Sequence, residues 1–326
     1  MMCKAMNGIS VIIPCYNSRN TIVKCLKSIE TDLMDVEVIV IEDCSADNSE
    51  DLIQEYAKKS KLSIKYLKNE KNLGAGNTRN RGINEATKEY ITFLDSDDEL
   101  DEKYFEYVKT PISQGFDIIV YDAVRVFGSD KKTYLNMFYS DCIQEKEYDV
   151  KKVLVYIRGC TCGKIYKTDI IKKNDIKFGT LHRNEDLIFT KTATSFTNCV
   201  YYINKALYKY NYLETSLFNN NSLTSPQNSI DAFELIKKRL HGLGFEKELN
   251  SIYLIEVLFG TTTCLIRLNK SSQEISSNYK QYRKMYNSDD IYRNGYSFSF
   301  KISYMLFEYR LFGVYNFLRK IYKKIR

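Results

Sequence analysis

Three carboxylates lie within four residues at Asp95-Ser96-Asp97-Asp98, directly after an apolar run. Carboxylates this close together repel one another unless a cation or solvent neutralises their charge. Oxygen ligands of this kind suit Mg2+ or Mn2+, and these ions commonly bridge protein carboxylates to the phosphates of a substrate. The cluster therefore predicts a divalent-cation and phosphate site; the alternative is a solvated acidic turn that begins the next helix.

Two other places have residue types that are typical of ligand binding. The turn at residues 72–77 contains two glycines and leads into a helix that carries Arg79, and a helix N-terminus of this kind attracts anions. Tyr16 can present a flat ring to a nucleobase, and Asp43 can accept a hydrogen bond from a base or a ribose. Taken singly, each feature is equally typical of an ordinary turn or loop.

The elements that position these residues alternate along the first hundred residues. Short β-branched runs predict buried strands at residues 11–13, 36–41, 62–67 and 90–94. Helices are predicted between them, the first capped by Ser18 and the third at residues 78–86. This alternation predicts an open, mainly parallel sheet with ligand loops at the carboxyl ends of its strands. The loops that begin at Pro14, Glu42 and Asp95 are therefore expected to meet at one edge.

Four segments, in this order, resemble the motifs of family 2 glycosyltransferases. They are residues 9–17 (ISVIIPCYN), 38–49 (VIVIEDCSADNS), 72–74 with 78–82 (NLG and TRNRG), and 90–98 (YITFLDSDD). Four ordered motifs are far more specific than any one of them alone. The resemblance continues, with fewer matches, through residues 162–166 and 184–189 to about residue 210.

The resemblance implies a GT-A fold, which is an α/β, Rossmann-like, mixed but mainly parallel sheet flanked by helices, here with a helical C-terminal extension. It also implies a nucleotide-sugar donor, with a UDP-sugar favoured over a GDP-sugar, Mn2+ or Mg2+ as cofactor, and inversion at the anomeric carbon. The expected domains are a catalytic domain at 1–215, with a donor half at about 1–110 and an acceptor half at about 111–215, and a helical region at 216–326.

The resemblance also assigns residues to the site. Those expected to bind the nucleotide sugar are Pro14, Tyr16, Asn17, Asp43, Asn72, Gly74, Arg79, Asp95, Ser96 and Asp97. The expected metal ligands are Asp97, Asp95 and Asp98. The expected catalytic base is Asp186. Candidates for the acceptor site are Glu185, His182 and Lys164, with an ordinary surface histidine as the alternative for His182.

An inverting transfer is a single displacement that needs a carboxylate on the acceptor side of the sugar. The carboxylate takes the proton of the acceptor hydroxyl while that oxygen attacks the anomeric carbon, and a metal ion offsets charge on the departing diphosphate. Asp186 is therefore expected opposite the metal at Asp97. The alternative is a helix-initiating acid, because Glu185 and Asp186 precede an apolar run where the helix dipole favours carboxylates.

Two departures from the family pattern stand out. Cys44 replaces the usual small turn residue after Asp43, which is expected to alter that loop only slightly. Residues 208–214 contain no arginine, so contacts from that segment to a diphosphate are not expected.

We predict an inverting hexosyl- or N-acetylhexosaminyltransferase that acts on a glycan or lipid-linked acceptor in cell-surface polysaccharide synthesis. One alternative is a sugar-nucleotide nucleotidyltransferase, although the first loop at residues 14–17 lacks the lysine that such enzymes use for a triphosphate. A catalytically inactive binder of sugar nucleotides is a further alternative. No nucleic-acid partner is expected, because the chain outside its basic tail is nearly neutral.

The tail at residues 301–326 has seven positive side chains and one acid, Glu308, in a chain of formal net charge +7. Aromatic and basic residues recur there at helical spacing, with a common face made by Glu308, Asn316, Arg319, Lys320 and Lys323. This pattern predicts a basic amphipathic helix that contacts an anionic membrane, and a helix docked on the catalytic domain is the alternative.

The localisation predicted from the sequence is cytoplasmic, with peripheral contact at the inner face of the cell membrane. The N-terminal apolar run is too short for a signal peptide, and no run of about 18 apolar residues predicts a membrane-spanning helix. Nine cysteines scattered along the chain indicate reduced thiols.

Overall fold

The structure is a computed structural model that describes residues 8–128, 131–179, 181, 183–212, 225–285 and 295–325. The chain divides into two compact units. The first contains Met1–Met137, Gln144–Val150 and Gly159–Leu213, and the second contains Phe138–Ile143, Lys151–Arg158 and Glu214–Arg326. The domain boundary expected at about residue 215 lies outside the described residues.

The first unit is built on one mixed sheet. Its strands, ten among the described residues, are β1 (Ile9–Cys15), β2 (Val36–Glu42), β3 (Ser63–Lys68), β4 (Tyr90–Phe93), β5 (Glu99–Leu100), β6 (Ile118–Phe127), β7 (Lys131–Leu135), β8 (Lys146–Glu147), β9 (Lys164–Lys167) and β10 (Val200–Asn211). Their order is β3-β2-β1-β4-β9-β6-β10-β5, with β7 beside β6 and β8 beside β10. The first four strands of this order are parallel, whereas β9 is antiparallel to both neighbours.

Helices flank this sheet as the alternating pattern predicts. They are α1 (Ile22–Lys27), α2 (Ser49–Lys59), α3 (Ala75–Glu85), α4 (Tyr104–Ser113), α5 (Val150–Tyr156, which belongs to the second unit after its first residue), α6 (Thr168–Lys173) and α7 (Glu185–Ser195). Helix α3 packs closely on β1 and β2, and glycine at position 82 permits this approach. A Cβ atom on Gly82 would lie only 2.4 Å from Cγ2 of Ile12. That close approach fixes the height of α3, and of Arg79 one turn earlier, above the strands.

The second unit is helical, as predicted for the chain after Pro226. Its helices are α8 (Pro226–Leu240), α9 (Glu246–Ile252), a π-helical stretch (Tyr253–Phe259), α10 (Gly260–Arg267), α11 (Ser272–Arg283), α12 (Phe298–Glu308) and α13 (Phe312–Ile325). Aromatic rings form much of its core: Phe259 lies 4.5 Å, centroid to centroid, from both Phe300 and Phe307. Burial of such large rings supplies most of the stabilisation that helices of this length need.

One helical stretch, Glu246–Arg267, is long and apolar enough by length and composition to cross a membrane. The criterion of an uninterrupted apolar run does not detect it, because Glu256 and a run of threonines interrupt the sequence. Of its most apolar window, 72% is buried inside the protein. A core helix of a folded protein has the same properties.

Two local predictions are wrong. The Ser18 side chain does not cap α1; its hydroxyl instead pairs with the Ser96 hydroxyl at 2.6 Å, because both lie in loops at the same edge of the sheet. The tail is not one continuous helix, because α12 ends at Glu308 and Arg310 takes a positive φ of 56° before α13 begins. Glu308 therefore does not share a helical face with Arg319 and Lys320.

Candidate active site

Residues near the C-terminal end of β10 hold the acidic loop after β4 in place. The Tyr208 hydroxyl donates to Oδ2 of Asp98 at 2.6 Å, and the Asn211 backbone N–H donates to Oδ1 at 2.8 Å. Asp98 is fully buried, and desolvation together with the charges of Asp95 and Asp97 raises its pKa well above the ordinary value. Asp98 is therefore a structural acid that points into the protein.

Asn211 adds two further bonds to the same loop. Its side-chain amide donates to the carbonyl of Asp97 and to Oε1 of Glu99, each at 2.9 Å. Glu99 also pairs with Lys24 at 2.7 Å. The sequence analysis did not select Tyr208 or Asn211, which lie more than a hundred residues from Asp98. Only the pairing of β10 with β5 brings them there.

Asp97 faces outward from this loop. Its carboxylate is half-buried, and in the described part of the chain no other residue donates a hydrogen bond to it or forms an ion pair with it. Desolvation and the neighbouring charge of Asp95 raise the pKa of Asp97 to about 6. A partly desolvated carboxylate without a partner is a group that a cation would stabilise.

The residues present fit a divalent cation in a different way from the one predicted. Within the described ranges, no three Asp, Glu, His or Cys side chains converge to hold a metal ion. Asp98, the third predicted ligand, is buried, and its oxygens already accept hydrogen bonds from Tyr208 and Asn211. Asp97 and one oxygen of Asp95 remain, and Mg2+ commonly takes one or two carboxylates while substrate phosphates and water complete its shell.

Arg79 links the acidic loop to a second acidic pair. Its Nη2 donates to Oδ1 of Asp95 at 2.6 Å, and its Nη1 lies 3.8 Å from Oε1 of Glu185. The guanidinium is buried and lies 5.5 Å from the centre of the Phe178 ring. Burial disfavours its charge, but Asp95 and then Glu185 more than compensate and raise the pKa of Arg79. Arg79 is thus a permanent cation between two groups of acids.

The second acidic pair starts α7. Asn184 takes a left-handed conformation with φ of 66°, and Glu185 and Asp186 follow in the first turn of the helix. Asp186 is half-buried. Desolvation, followed by the charge of Glu185, raises the pKa of Asp186 well above its ordinary value, while Arg79 acts in the opposite direction. Desolvation also raises the pKa of Glu185.

Aromatic packing and a reciprocal amide pair hold α7 against α3. The Asn80 side chain donates to the carbonyl of Phe178 at 3.1 Å and accepts from its N–H at 2.8 Å. The Phe178 ring stacks on Phe189 of α7, with centroids 4.1 Å apart. A Cβ on Gly76 would lie 3.2 Å from Cγ of Glu185, so these two helix starts are close together. Sequence reasoning did not identify Asn80 or Phe178.

Asp43 shapes the glycine turn that precedes α3. Its Oδ1 accepts from the Asn69 side chain at 2.7 Å and from the Leu73 N–H at 2.8 Å, and its Oδ2 accepts from the Gly74 N–H at 2.9 Å. Asn72 also accepts from the Gly74 N–H, at 3.2 Å. Gly74 has φ of 79°, which glycine adopts without strain. Asp43 is buried, and its Oδ2 retains capacity for one further hydrogen bond.

The first two loops are joined by Asn17. Its side-chain oxygen accepts from the Ala46 N–H at 3.0 Å, and its own N–H donates to the Ser45 hydroxyl at 2.9 Å. Pro14 lies near the end of β1, and the ring of Tyr16 beyond it is 52% exposed. Ser96, by contrast, is buried. The loops after β1 and β2 therefore meet at one edge, as predicted.

One acceptor-site candidate, Lys164, has a different role in the structure. Lys164 is fully buried, and its ammonium donates to the carbonyls of Cys160 at 2.8 Å and Cys162 at 3.3 Å. Its role in the structure is to hold that turn, so the acceptor-site assignment of Lys164 is not supported. His182 lies outside the described residues. The third candidate, Glu185, lies beside Arg79 and Asp186.

Comparison with known proteins places the chain among glycosyltransferases. The EpsH protein of Bacillus subtilis is 32% identical over 211 residues, which is 62% of this chain and 60% of EpsH. The poly(ribitol-phosphate) beta-N-acetylglucosaminyltransferase TarS of Staphylococcus aureus is 25% identical over 257 residues, 78% of this chain and 44% of TarS. The chain therefore spans less than two thirds of the length of either relative.

A crystal structure of residues 1–349 of S. aureus TarS in complex with UDP-GlcNAc superposes with a TM-score of 0.69 at 24% identity, over 84% of this chain and 79% of that one. This similarity shows the predicted GT-A fold, with its mixed sheet, flanking helices and helical C-terminal region. The sequence model described as glycosyl transferase family 2 matches residues 10–174, which is half of the chain. The chain belongs to glycosyl transferase family 2.

Proposed function

We propose that this protein is an inverting glycosyltransferase that moves a sugar from a nucleotide-sugar donor to a hydroxyl of a glycan or lipid-linked acceptor in cell-surface polysaccharide synthesis. The observation that carries the proposal is the position of Arg79. Its guanidinium contacts Asp95 of the donor-side loop and approaches Glu185 of the base-side pair. One cation thereby lies next to two acidic groups to which we assign different tasks.

Asp186 is the general base in this proposal. Its Oδ1 accepts from the Leu187 N–H at 2.9 Å, which leaves Oδ2 to take the proton of the acceptor hydroxyl. Desolvation raises the proton affinity of the carboxylate, and a base with a higher pKa removes a hydroxyl proton more readily as the oxygen attacks. Arg79 favours the ionised form of Asp186, whereas the charge of Glu185 disfavours it.

The donor side uses the loops at the strand ends. The exposed Tyr16 ring offers a stacking surface to the base, and Oδ2 of Asp43 offers one hydrogen-bond acceptor to it. Asp97 and Asp95 would hold a Mn2+ or Mg2+ ion, which supplies neutralisation of the diphosphate charge when bound. Tyr208 and Asn211 keep the backbone of that loop in place.

A UDP-linked N-acetylhexosamine is the first donor to test. TarS, a relative over 78% of this chain, is a poly(ribitol-phosphate) beta-N-acetylglucosaminyltransferase, and its structure binds UDP-GlcNAc. These properties belong to TarS, and at this identity they rank the donors for this chain without selecting one. GDP-sugars and UDP-hexoses therefore belong in the same panel.

The test is thermal unfolding of the purified chain with UDP, GDP and a panel of their sugars, each with Mn2+, Mg2+ or EDTA. A ligand that binds the folded state raises the melting temperature by mass action. A metal-dependent rise with one nucleotide sugar, followed by slow release of free sugar from it, is expected. Pyrophosphate release from a nucleoside triphosphate and a sugar 1-phosphate would instead indicate a nucleotidyltransferase.

A binder without catalytic activity would also show the thermal shift. The Asp186→Asn variant distinguishes it from an enzyme, because an enzyme loses turnover and keeps its donor-dependent shift. If sugar release is the same in both proteins, Asp186 is not the base. If no donor shifts the folded protein, the proposed donor site is wrong.

A further inference from the structure

Helix α13 leaves one apolar face uncovered in the second unit. Val314, Phe317 and Leu318 are 44%, 63% and 45% exposed, and their spacing of three and four residues places them on one side of the helix. Exposed aromatic and aliphatic side chains on one contiguous face are uncommon unless something covers them. We therefore expect this face to bind another molecule or surface.

The opposite side of α13 is firmly packed. Phe312 is buried, and the Tyr315 ring lies 4.7 Å from Phe307 of α12 in an edge-to-face arrangement. Phe312 also lies 6.0 Å from the Tyr279 ring of α11. The face with Phe312 and Tyr315 thus packs within the second unit. This packing does not explain why the face with Val314, Phe317 and Leu318 is also apolar.

The preceding helix carries exposed apolar side chains as well. Met305 and Tyr309 stand one turn apart at the C-terminal end of α12, and they are 50% and 73% exposed. Arg310, with its positive φ, separates them from α13. Apolar side chains are therefore exposed on both sides of this break.

The charges around these apolar groups are almost all positive. Arg310 and Lys320 are exposed, and residues 301–326 contain seven cationic side chains and one acid. That acid, Glu308, is neutralised inside the unit: its Oε1 accepts from Nε of Arg283 at 2.8 Å and from the Tyr279 hydroxyl at 2.7 Å. The outward electrostatic field of this segment is therefore cationic.

We propose that the α12–α13 surface, formed by Met305, Val314, Phe317 and Leu318 with Arg310 and Lys320, docks on an anionic lipid bilayer. Apolar side chains enter the acyl-chain boundary of a bilayer while basic side chains remain at its charged headgroups. A symmetric contact between two copies would bring the same patch of each into register and set cations against cations. A bilayer satisfies both the apolar and the cationic groups.

The experiment is flotation of the full-length chain with vesicles of phosphatidylcholine alone and of phosphatidylcholine with phosphatidylglycerol, at low and high salt. Binding is expected only to the phosphatidylglycerol vesicles and is expected to weaken as salt screens the cations. Arg310→Gln with Lys320→Gln should weaken binding about 25-fold, at roughly fivefold for each cation. Val314→Ser with Phe317→Ser should weaken it about tenfold or more.

A matched control lies on α8 of the same unit. Leu235 and Lys237 are exposed there, so Leu235→Ser with Lys237→Gln removes one apolar and one cationic side chain at another surface. This variant should bind vesicles like the unaltered chain. Thermal unfolding and light scattering of each variant test whether it is folded and whether it self-associates.

Three results would overturn the proposal. The first is equal binding to neutral and anionic vesicles, and the second is undiminished binding by both α12–α13 variants. The third is loss of a dimer in the same variants without any vesicle binding by the unaltered chain, which would assign this surface to a second copy. None of these readouts depends on the identity of the sugar donor.

Discussion

The two acidic groups beside Arg79 are held in place by opposite means. In the loop after β4, neutral donors from Tyr208 and Asn211 hold Asp98, and no other residue that the structure describes bonds to the Asp97 carboxylate. At the start of α7, Glu185 approaches a cation and Asp186 has a backbone N–H. The first group thus keeps one carboxylate, Asp97, available to an added cation, whereas each acid of the second pair has a partner within the protein.

This difference matches the two tasks of a displacement reaction. A carboxylate that holds a cation must be ionised and open, whereas a general base must gain and lose a proton in a dry environment. Similar residue types can therefore take different roles because their surroundings differ. The contrast also predicts which substitutions should separate binding from turnover.

The largest effect is expected for Asp186→Asn. The amide cannot take a proton, so kcat should fall by about 100- to 10,000-fold, the usual contribution of a general base. Donor-dependent thermal stabilisation should persist, because the substitution leaves the loop at Asp95–Asp98 unchanged. Single-turnover rates on the identified donor measure the loss, with Glu185→Gln as the control. A larger loss in the control would move the base to Glu185.

Asp97→Asn should abolish metal-dependent donor binding and lower turnover by about 100-fold, because the charge of the diphosphate is then less well neutralised. The same change should stabilise the protein without metal. The folded-state pKa of about 6 exceeds the ordinary value of 3.8, so the folded state loses stability as pH rises through this interval.

The stability gain of Asp97→Asn should therefore be full above pH 6 and vanish toward pH 4. A rise of a few degrees in melting temperature is expected near pH 7.5, at roughly 2–4 °C for each kcal/mol. Asp101→Asn, at a half-buried salt bridge with Lys209, is the control and should not raise the melting temperature. A lower melting temperature for Asp97→Asn at pH 7.5 would show that Asp97 has an unrecognised stabilising partner.

Arg79→Met removes the cation that the two acidic groups share. Because Arg79 lowers the pKa of Asp186, its loss should raise that pKa further, and the acid limb of the kcat/KM profile should move to higher pH. Activity at neutral pH should fall about tenfold or more. Arg81→Met, on the same helix but bonded to Lys68 and Asn69, should leave the limb in place. If the acid limb does not move in Arg79→Met, the charge of Arg79 does not affect the pKa of the catalytic base, and the prediction is wrong.

The smallest effect is expected for Tyr208→Phe. The change leaves the buried Asp98 with one donor fewer and should cost about 1–3 kcal/mol of stability. Tyr202→Phe is a close match, because Tyr202 lies on the same strand and donates to the buried Asp122 at the same distance of 2.6 Å. Both variants should lose stability, but only Tyr208→Phe should raise the KM for the donor. Equal donor KM values would reduce Tyr208 to a purely structural residue.

Local patterns in the sequence were sufficient for the part of the first unit before about residue 95. Period and composition predicted the strands before residue 100, and the position of polar residues after strand ends predicted the meeting of the loops at Pro14, Glu42 and Asp95. Asp43, Gly74 and Arg79 were identified because their residue types and order match a family motif. In each of these cases the signal lies within a few residues of the chain.

The partners of those residues could not be predicted in the same way. Tyr208 and Asn211 reach Asp98 only through strand pairing across the sheet, and Asn80 reaches Phe178 only because α3 lies beside that segment. Lys164 was misread because a basic residue in a motif was taken to face a ligand, although its ammonium satisfies two buried carbonyls. The break at Arg310 depends on packing of α13, which helical periodicity alone does not contain.

The bonds that Tyr208 and Asn211 make to the acidic loop also bear on the thermodynamics of donor binding. A loop that is already ordered in the free protein loses little conformational entropy when a ligand arrives. Calorimetry with the unaltered chain should therefore show a smaller entropic penalty than calorimetry with Tyr208→Phe, at a similar number of protein–donor contacts. In this site the entropic cost of ordering the loop at Asp95–Asp98 is met when the protein folds, so this cost does not lower the affinity for the donor.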